Sequence, residues 1–210
     1  QRAWIFQPSD RTWGGETMAD GMQDVWIDFP SRQTGEPTRL HGLWLAADQP
    51  GAPVLLYLHG ARWNVVGSAS RIRRMQELGF SVLAIDYRGF GKSSKGLPSE
   101  SLAAEDARAA WDWLATQHPG APRYIFGHSL GGAIAARYAE EHPQDYSKLV
   151  MLSPMLDINT KLAKPVEEVA AWALNLAKRN DYSLGETGYN PNPAFEGNHN
   201  TASKERFEFV

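Results

Sequence analysis

The sequence predicts an α/β fold: a mostly parallel sheet with flanking helices, an N-terminal antiparallel hairpin and an incomplete C-terminal part. Three observations carry that prediction. Short continuous apolar runs recur at Val54-Leu55-Leu56-Tyr57-Leu58, Ser81-Val82-Leu83-Ala84-Ile85, Tyr124-Ile125-Phe126 and Leu149-Val150-Met151-Leu152. Strands buried on both faces look like this. Helix-period patterns lie between the runs, and strands alternating with helices imply crossovers and a parallel sheet. Ahead of them, the chain alternates apolar and polar residues with period two.

Taken in order, residues 1–20 are punctuated by Trp and Gly, with turn signals at Pro8-Ser9-Asp10 and Gly14-Gly15. Asp24-Val25-Trp26-Ile27-Asp28-Phe29 and Leu40-His41-Gly42-Leu43-Trp44-Leu45-Ala46 read as paired strands, joined by a polar turn from Pro30 to Pro37. Residues 68–78 are the first helix. Residues 101–116 are the second, with Ala104, Ala107, Trp111 and Leu114 on one stripe and Ser101 as its N-cap. Residues 130–141 are the third, stopped by Pro143. After Pro154 the alternation ends. Residues 165–180 read as a helix with Pro165 at its start. Residues 183–200 are rich in Gly, Asn and Pro, and no further apolar strand follows. The expected organisation is a core over residues 1–153 and a lid-like or partial C-terminal segment over 154–210.

Composition narrows the function classes. The chain has 210 residues, enough for one domain with a sizeable core. Apolar residues make up 42% and charged residues 21%, an ordinary globular balance. A net charge of -3 supplies no basic excess for gripping phosphates, which argues against a nucleic-acid partner. There is no cysteine, so thiolate metal sites, disulfides and Cys nucleophiles are excluded. No H-x-x-x-H or H-E-x-x-H spacing occurs, which argues against a zinc peptidase. Gly91-Lys92-Ser93 echoes a P-loop, but Asp86 stands where the leading glycine belongs. No metal or organic cofactor is expected. The compartment stays open between cytoplasm and a periplasmic or membrane-associated location.

The informative stretch is Gly127-His128-Ser129-Leu130-Gly131-Gly132, set between a strand and a helix. A G-x-S-x-G run in that context makes a turn sharp enough to lift a serine hydroxyl above the sheet. It also aims a helix N-terminus at an oxyanion formed there. Leu58-His59-Gly60-Ala61-Arg62-Trp63 follows the first central strand, where a backbone N–H can approach the same point. The expected machinery is Ser129 as nucleophile with the N–H groups of Ala61 and Leu130 as oxyanion donors. Together with Asp86-Tyr87-Arg88-Gly89-Phe90-Gly91-Lys92-Ser93, these motifs resemble the α/β-hydrolase superfamily. Residues 5–152 look most like its single-domain, often membrane-anchored serine hydrolase branch. Asp157-Ile158-Asn159-Thr160-Lys161, Pro193-Ala194-Phe195-Glu196-Gly197-Asn198 and Ser203-Lys204-Glu205-Arg206-Phe207 look like the lid part of lysophospholipase or monoacylglycerol lipase relatives.

The resemblance implies that an acid and then a histidine base follow Ser129, after two more strands. This chain ends before either strand is visible and reads as truncated. His199 is the candidate base and Asp157 the candidate acid. His142 reads as complementing a helix C-terminus, His59 as shaping the oxyanion loop, and His41 and His118 as surface or structural residues. His128 is set aside because the turn should point it away from Ser129. Asp86 reads as a structural partner of Arg88 or a turn residue. The expected function is hydrolysis of carboxylic esters, lipid-like or acylglycerol in type, with residues 157–200, including Trp172, Leu174 and Leu176, covering the acyl site. A second reading stays open: a catalytically incomplete α/β-hydrolase-like binding or assembly protein, or a remnant. Truncation would leave the strand at 149–152 as an apolar sheet edge, through which copies of the chain would pair. Membrane-surface association is also left open.

Overall fold

The computed structural model describes residues 6–12 and 15–152. The chain divides into two units, residues 1–156 and 157–210, and the described residues all belong to the first. Among the described residues, six strands form one sheet: β1 (Gln23–Pro30), β2 (Pro37–Leu45), β3 (Val54–Leu58), β4 (Ser81–Ile85), β5 (Arg123–His128) and β6 (Lys148–Leu152). Their order across the sheet is β1-β2-β4-β3-β5-β6. The first two form the expected hairpin, with Trp26 opposite His41. β2 joins β4 antiparallel. β3 pairs in parallel with both β4 and β5, and β5 with β6.

Among the described residues, three α-helices cover this sheet: α1 (Ala69–Glu77), α2 (Glu100–Gln117) and α3 (Leu130–Glu141). Side-chain alternation along β3 explains its unbroken apolar run. Val54, Leu56 and Leu58 enter the core shared with Ala107, Trp111, Leu114, Ile134 and Tyr138, beneath α2 and α3. Leu55 and Tyr57 point the other way, into the core shared with Val65, Val66 and Ile72 under α1. Each face needs an apolar residue at every second position, so no polar residue fits between. Gly42 lets β2 approach β4 closely, because a Cβ there would lie 2.8 Å from the Ala84 carbonyl oxygen.

The strand order sets where a site can form. The chain leaves β3 through α1 and returns at β4 on one side. It leaves β5 through α3 and returns at β6 on the other. The loops at the carboxyl ends of β3 and β5 therefore diverge to opposite faces, and a crevice opens between them.

Two local expectations need correction. The second helix starts earlier than the pattern suggests. Ser99 is its N-cap, accepting from the Leu102 N–H at 3.2 Å, and Ser101 lies within the first turn. Ser99 has extended backbone angles suited to a cap, which an apolar stripe cannot disclose. Arg88 does not pair with Asp86. Its Nε and backbone N–H reach Asp106 at 2.7 and 2.8 Å, its Nη1 reaches Ser31 Oγ at 2.8 Å, and it pairs with Glu105. Glu105 accepts from the Ser31 hydroxyl at 2.7 Å, so the network fastens the β1–β2 turn to α2. The Arg88 side chain runs to α2 because Asp106 is wholly buried there and requires a cation.

The cap assignment predicts a ranking. Ser99→Ala should lower the unfolding free energy by about 1 kcal/mol, and Ser101→Ala by under about half of that. Urea melts of the two variants check it, and equal losses would return the cap to Ser101.

Candidate active site

Two loops meet at the crevice. One is His59-Gly60-Ala61-Arg62-Trp63-Asn64 after β3, the other the sharp turn at Ser129 between β5 and α3. Ser129 has φ 55° and ψ -117°, a conformation that costs a non-glycine residue about 1–3 kcal/mol. Its surroundings impose that conformation. The Ser129 N–H donates to the Leu152 carbonyl at 3.0 Å, and its own carbonyl accepts from Gly132 and Ala133 at 2.9 and 3.2 Å. Gly127 and Gly131 are required by contact. A Cβ at Gly131 would overlap the Leu58 carbonyl oxygen, and one at Gly127 would overlap the Gly131 carbonyl oxygen. The first turn of α3 thus lies against the end of β3, closer than any side chain permits.

Gly60 performs the matching role in the other loop. A Cβ there would stand 3.3 Å from both the Ser129 Cβ and the His128 Nδ1. Among the described residues, the N–H groups of Ala61 and Leu130 donate no backbone hydrogen bond. Both belong to the loops that meet at Ser129, and α3 contributes the positive end of its dipole there. The Ser129 side chain makes no capping hydrogen bond to the N-terminus of α3. Together, residues including His59, Gly60, Ala61, Arg71, His128 and Ser129 line a cavity of about 540 Å³.

His59 is buried beneath this loop. Its Nδ1–H donates to the Gly60 carbonyl at 2.7 Å, and its ring packs on Tyr87 and Phe90. Burial lowers its pKa, outweighing the pull of Asp86, so the ring is neutral, with Nε2 3.6 Å from Asp86 Oδ1. His59 therefore braces the loop after β3 from beneath. Arg62 and Trp63 follow in left-handed backbone at φ 64° and 61°. The N-terminal segment braces them: Arg62 donates from its N–H to the Phe6 carbonyl at 3.0 Å and from Nε to Gln7 Oε1 at 2.9 Å. No pattern in the sequence pointed to that brace.

Asp86 is a structural residue, with His41 and the Val65 N–H as its partners in place of Arg88. It is 1% exposed, and its Oδ1 accepts the Val65 N–H at 2.7 Å. Its Oδ2 faces His41 Nδ1 at 3.2 Å. His41 Nε2 in turn lies 2.5 Å from Asp24 Oδ1. A neutral imidazole donates from one nitrogen only, whereas the imidazolium donates to both carboxylates. Burial pulls His41 down, but the hydrogen bonds and charges of Asp86 and Asp24 prevail and its pKa is raised above 6.5.

The remaining histidines fall elsewhere. His128 and Ser129 both line the cavity. The His128 pKa is lowered, first by burial and then by the nearby charge of Arg71. His118 stacks on Trp44 at 4.6 Å. His142 is the C-cap of α3 and accepts from Arg108 Nη1 at 3.2 Å. Asp157 and His199, and Trp172, Leu174 and Leu176 of the expected lid, lie outside the described residues.

This sheet order, with a strained serine where β5 enters α3, defines an α/β-hydrolase. Residues 49–202 match the family model described as serine aminopeptidase, S33, and the chain belongs to that family. It is 30% identical to human protein ABHD12B over 143 residues, covering 65% of this chain and 39% of that protein. It is 37% identical over 114 residues to the lysophosphatidylserine lipase ABHD12 of Xenopus tropicalis, covering 50% of this chain and 28% of that protein. The chain thus spans less than half the length of these curated relatives. A probable hydrolytic enzyme from Pseudomonas aeruginosa superposes with a TM-score of 0.54 at 27% identity, covering 64% of this chain and 42% of that structure. A thermostable carboxyl esterase from Bacillus coagulans shares the fold, with a TM-score of 0.56 at 21% identity over 75% of this chain and 55% of that structure.

The doubly flanked His41 gives a pH dependence. Its folded pKa lies above the unfolded value, so the folded state binds the extra proton. The resulting stability is fully present below about pH 6.5 and is lost as pH rises through the folded pKa. His41→Asn should therefore cost more stability at pH 6 than at pH 9, measured by urea unfolding at both values. An equal loss at both would mean that His41 is neutral in the folded protein.

Proposed function

We propose that the chain is a serine hydrolase of carboxylic esters, with Ser129 as nucleophile and the N–H groups of Ala61 and Leu130 as oxyanion donors. The observation that carries this is the strained backbone at Ser129, held beside two N–H groups that lack backbone partners among the described residues. Strain of that kind persists only where the surroundings over-determine it, and here it lifts a hydroxyl into a cavity. In the reaction, Ser129 Oγ attacks the ester carbonyl carbon while a base takes its proton. The carbonyl oxygen becomes an oxyanion between the two N–H groups. Collapse breaks the ester C–O bond, the alcohol leaves with the proton, and water then hydrolyses the acyl-enzyme.

His199 is the proposed base and Asp157 the proposed acid. Among the six histidines, no other follows Ser129 except His142. His142 is engaged with Arg108 at the far end of α3, three turns from Ser129. Lipid-like or acylglycerol esters are the proposed substrates, a reading that the lysophosphatidylserine lipase relatives support.

Hydrolysis of short and long p-nitrophenyl esters by the full chain, beside Ser129→Ala, tests the reading. The parent should turn the esters over and the variant should fall to background, a loss on the order of a thousandfold or more. His199→Ala should then fall as far, since members of a triad act as a unit. Equal rates in parent and Ser129→Ala would leave a hydrolase fold that works as a binding or assembly protein.

Pairing of copies through β6 belongs to the same proposal. β6 is the last strand of the described sheet, and its Val150, Met151 and Leu152 are 52%, 41% and 49% exposed. An apolar edge of this kind is a template for another strand. Light scattering should give twice the chain mass, and a mass equal to one chain would remove the pairing.

A further inference from the structure

The cavity beside Ser129 carries positive charge that its walls do not neutralise. Its lining includes Arg62 and Arg71 and no Asp or Glu. Among the described residues neither arginine forms an ion pair. By contrast, Arg39, Arg88, Arg108 and Arg137 each hold a carboxylate. Arg62 is already directed by its bond to Gln7, whereas Arg71 is exposed.

Arg71 also sits where a cation is unfavourable. It lies in the first turn of α1, at the positive end of the helix dipole, and that turn contains no acid to offset it. The first turn of α3, at Ser129, likewise contains no acid. Two helix N-termini and two guanidinium groups therefore converge on one concavity, in a chain whose net charge is -3. Low-dielectric walls concentrate such a field and draw an anion in. The charge of Arg71 is felt at His128, on the same wall as Ser129.

We propose that Arg71, assisted by Arg62, is the specificity-determining residue of this cavity and holds an anionic group, phosphate or carboxylate, on the ester presented to Ser129. The proposal rests on the reading of Ser129 as the nucleophile of an ester hydrolase. Guanidinium is suited to the task, since its forked N–H groups meet two oxygens of one phosphate or carboxylate. An anion there would offset both the unpaired cations and the two dipole ends. The ester would then be oriented by its charged end, with its carbonyl left to the Ala61 and Leu130 N–H groups.

Binding without turnover separates this proposal from the reading on which it rests. Isothermal titration of the full chain with hexyl phosphate, hexanoate, 1-hexanol and inorganic phosphate is the experiment, run on the parent, Arg71→Gln and Arg71→Lys. Hexyl phosphate or hexanoate should bind the parent more tightly than 1-hexanol. Arg71→Gln should weaken that anion at least tenfold, Arg71→Lys should recover part of the loss, and 1-hexanol should bind all three proteins alike. Equal unfolding midpoints would show that the variants fold as the parent does. Anion affinity within twofold of the parent in Arg71→Gln would overturn the proposal, as would a parent that binds neither anion. Inorganic phosphate binding as tightly as hexyl phosphate would also overturn it, by marking a free-anion site instead of a substrate headgroup site. Ser129→Ala should bind like the parent, so a failure of ester turnover would strike the nucleophile and leave Arg71 assigned.

Discussion

A buried carboxylate at the end of β4 organises the loops on which the site depends. Asp86 stands at the carboxyl end of the central sheet with almost no exposure, so every lone pair needs a partner. It takes one from the Val65 N–H, which fixes the loop leaving β3 as it turns towards α1. It takes another from His41 on β2, and its backbone carbonyl accepts the Ser93 hydroxyl at 2.6 Å. Gly91 is obligatory because a Cβ there would overlap the Asp86 carboxylate. The hairpin, the β3 loop and the β4 loop are thus registered on one charge. Losing the Val65 N–H or His41 would leave one carboxylate oxygen unsatisfied inside the protein, a loss that costs more than an ordinary hydrogen bond.

The second constraint is steric. Ser129 occupies strained backbone because α3 is pressed onto the end of β3, an approach that only glycine at positions 127 and 131 permits. The strain is offset by hydrogen bonds on both sides of the residue and by the apolar anchoring of Leu130, Ile134 and Ala135 in the core. The turn is consequently fixed before any ligand arrives. A turn built this way spends no binding energy on ordering itself.

Two salt-linked networks divide the work. The Arg88 network, with Asp106, Glu105 and Ser31, ties the hairpin turn to α2. The Asp24–His41–Asp86 chain runs from an exposed carboxylate inwards to the loop after β3. The first network holds the antiparallel strands against the parallel part of the sheet. The second couples the protonation of a buried ring to the loop that carries Ala61. Neither places a carboxylate in the cavity lining, whose charged residues are Arg62 and Arg71.

Much of this was legible along the chain, for a physical reason. The apolar runs, the helical stripes and the strand–turn–helix around Ser129 are local, and each is fixed by the chemistry of neighbours within a few residues. Strand order, the layer each residue faces and the partners of buried charges are not local. Ser99 and Ser101 are both good caps, and only the backbone path decides which one is used. Asp86 and Arg88 are two residues apart in sequence, yet one side chain turns to β2 and the other to α2, because strand and loop geometry points them to different sides. Arg71 reads as one more surface arginine until the fold sets it beside His128 and Ser129 with no carboxylate in the cavity wall. Sequence by itself determined the elements, the α/β class and the serine turn. The tertiary structure alone decided which charges are matched and which are left facing the cavity, since that depends on residues brought together from strands and loops far apart in the chain.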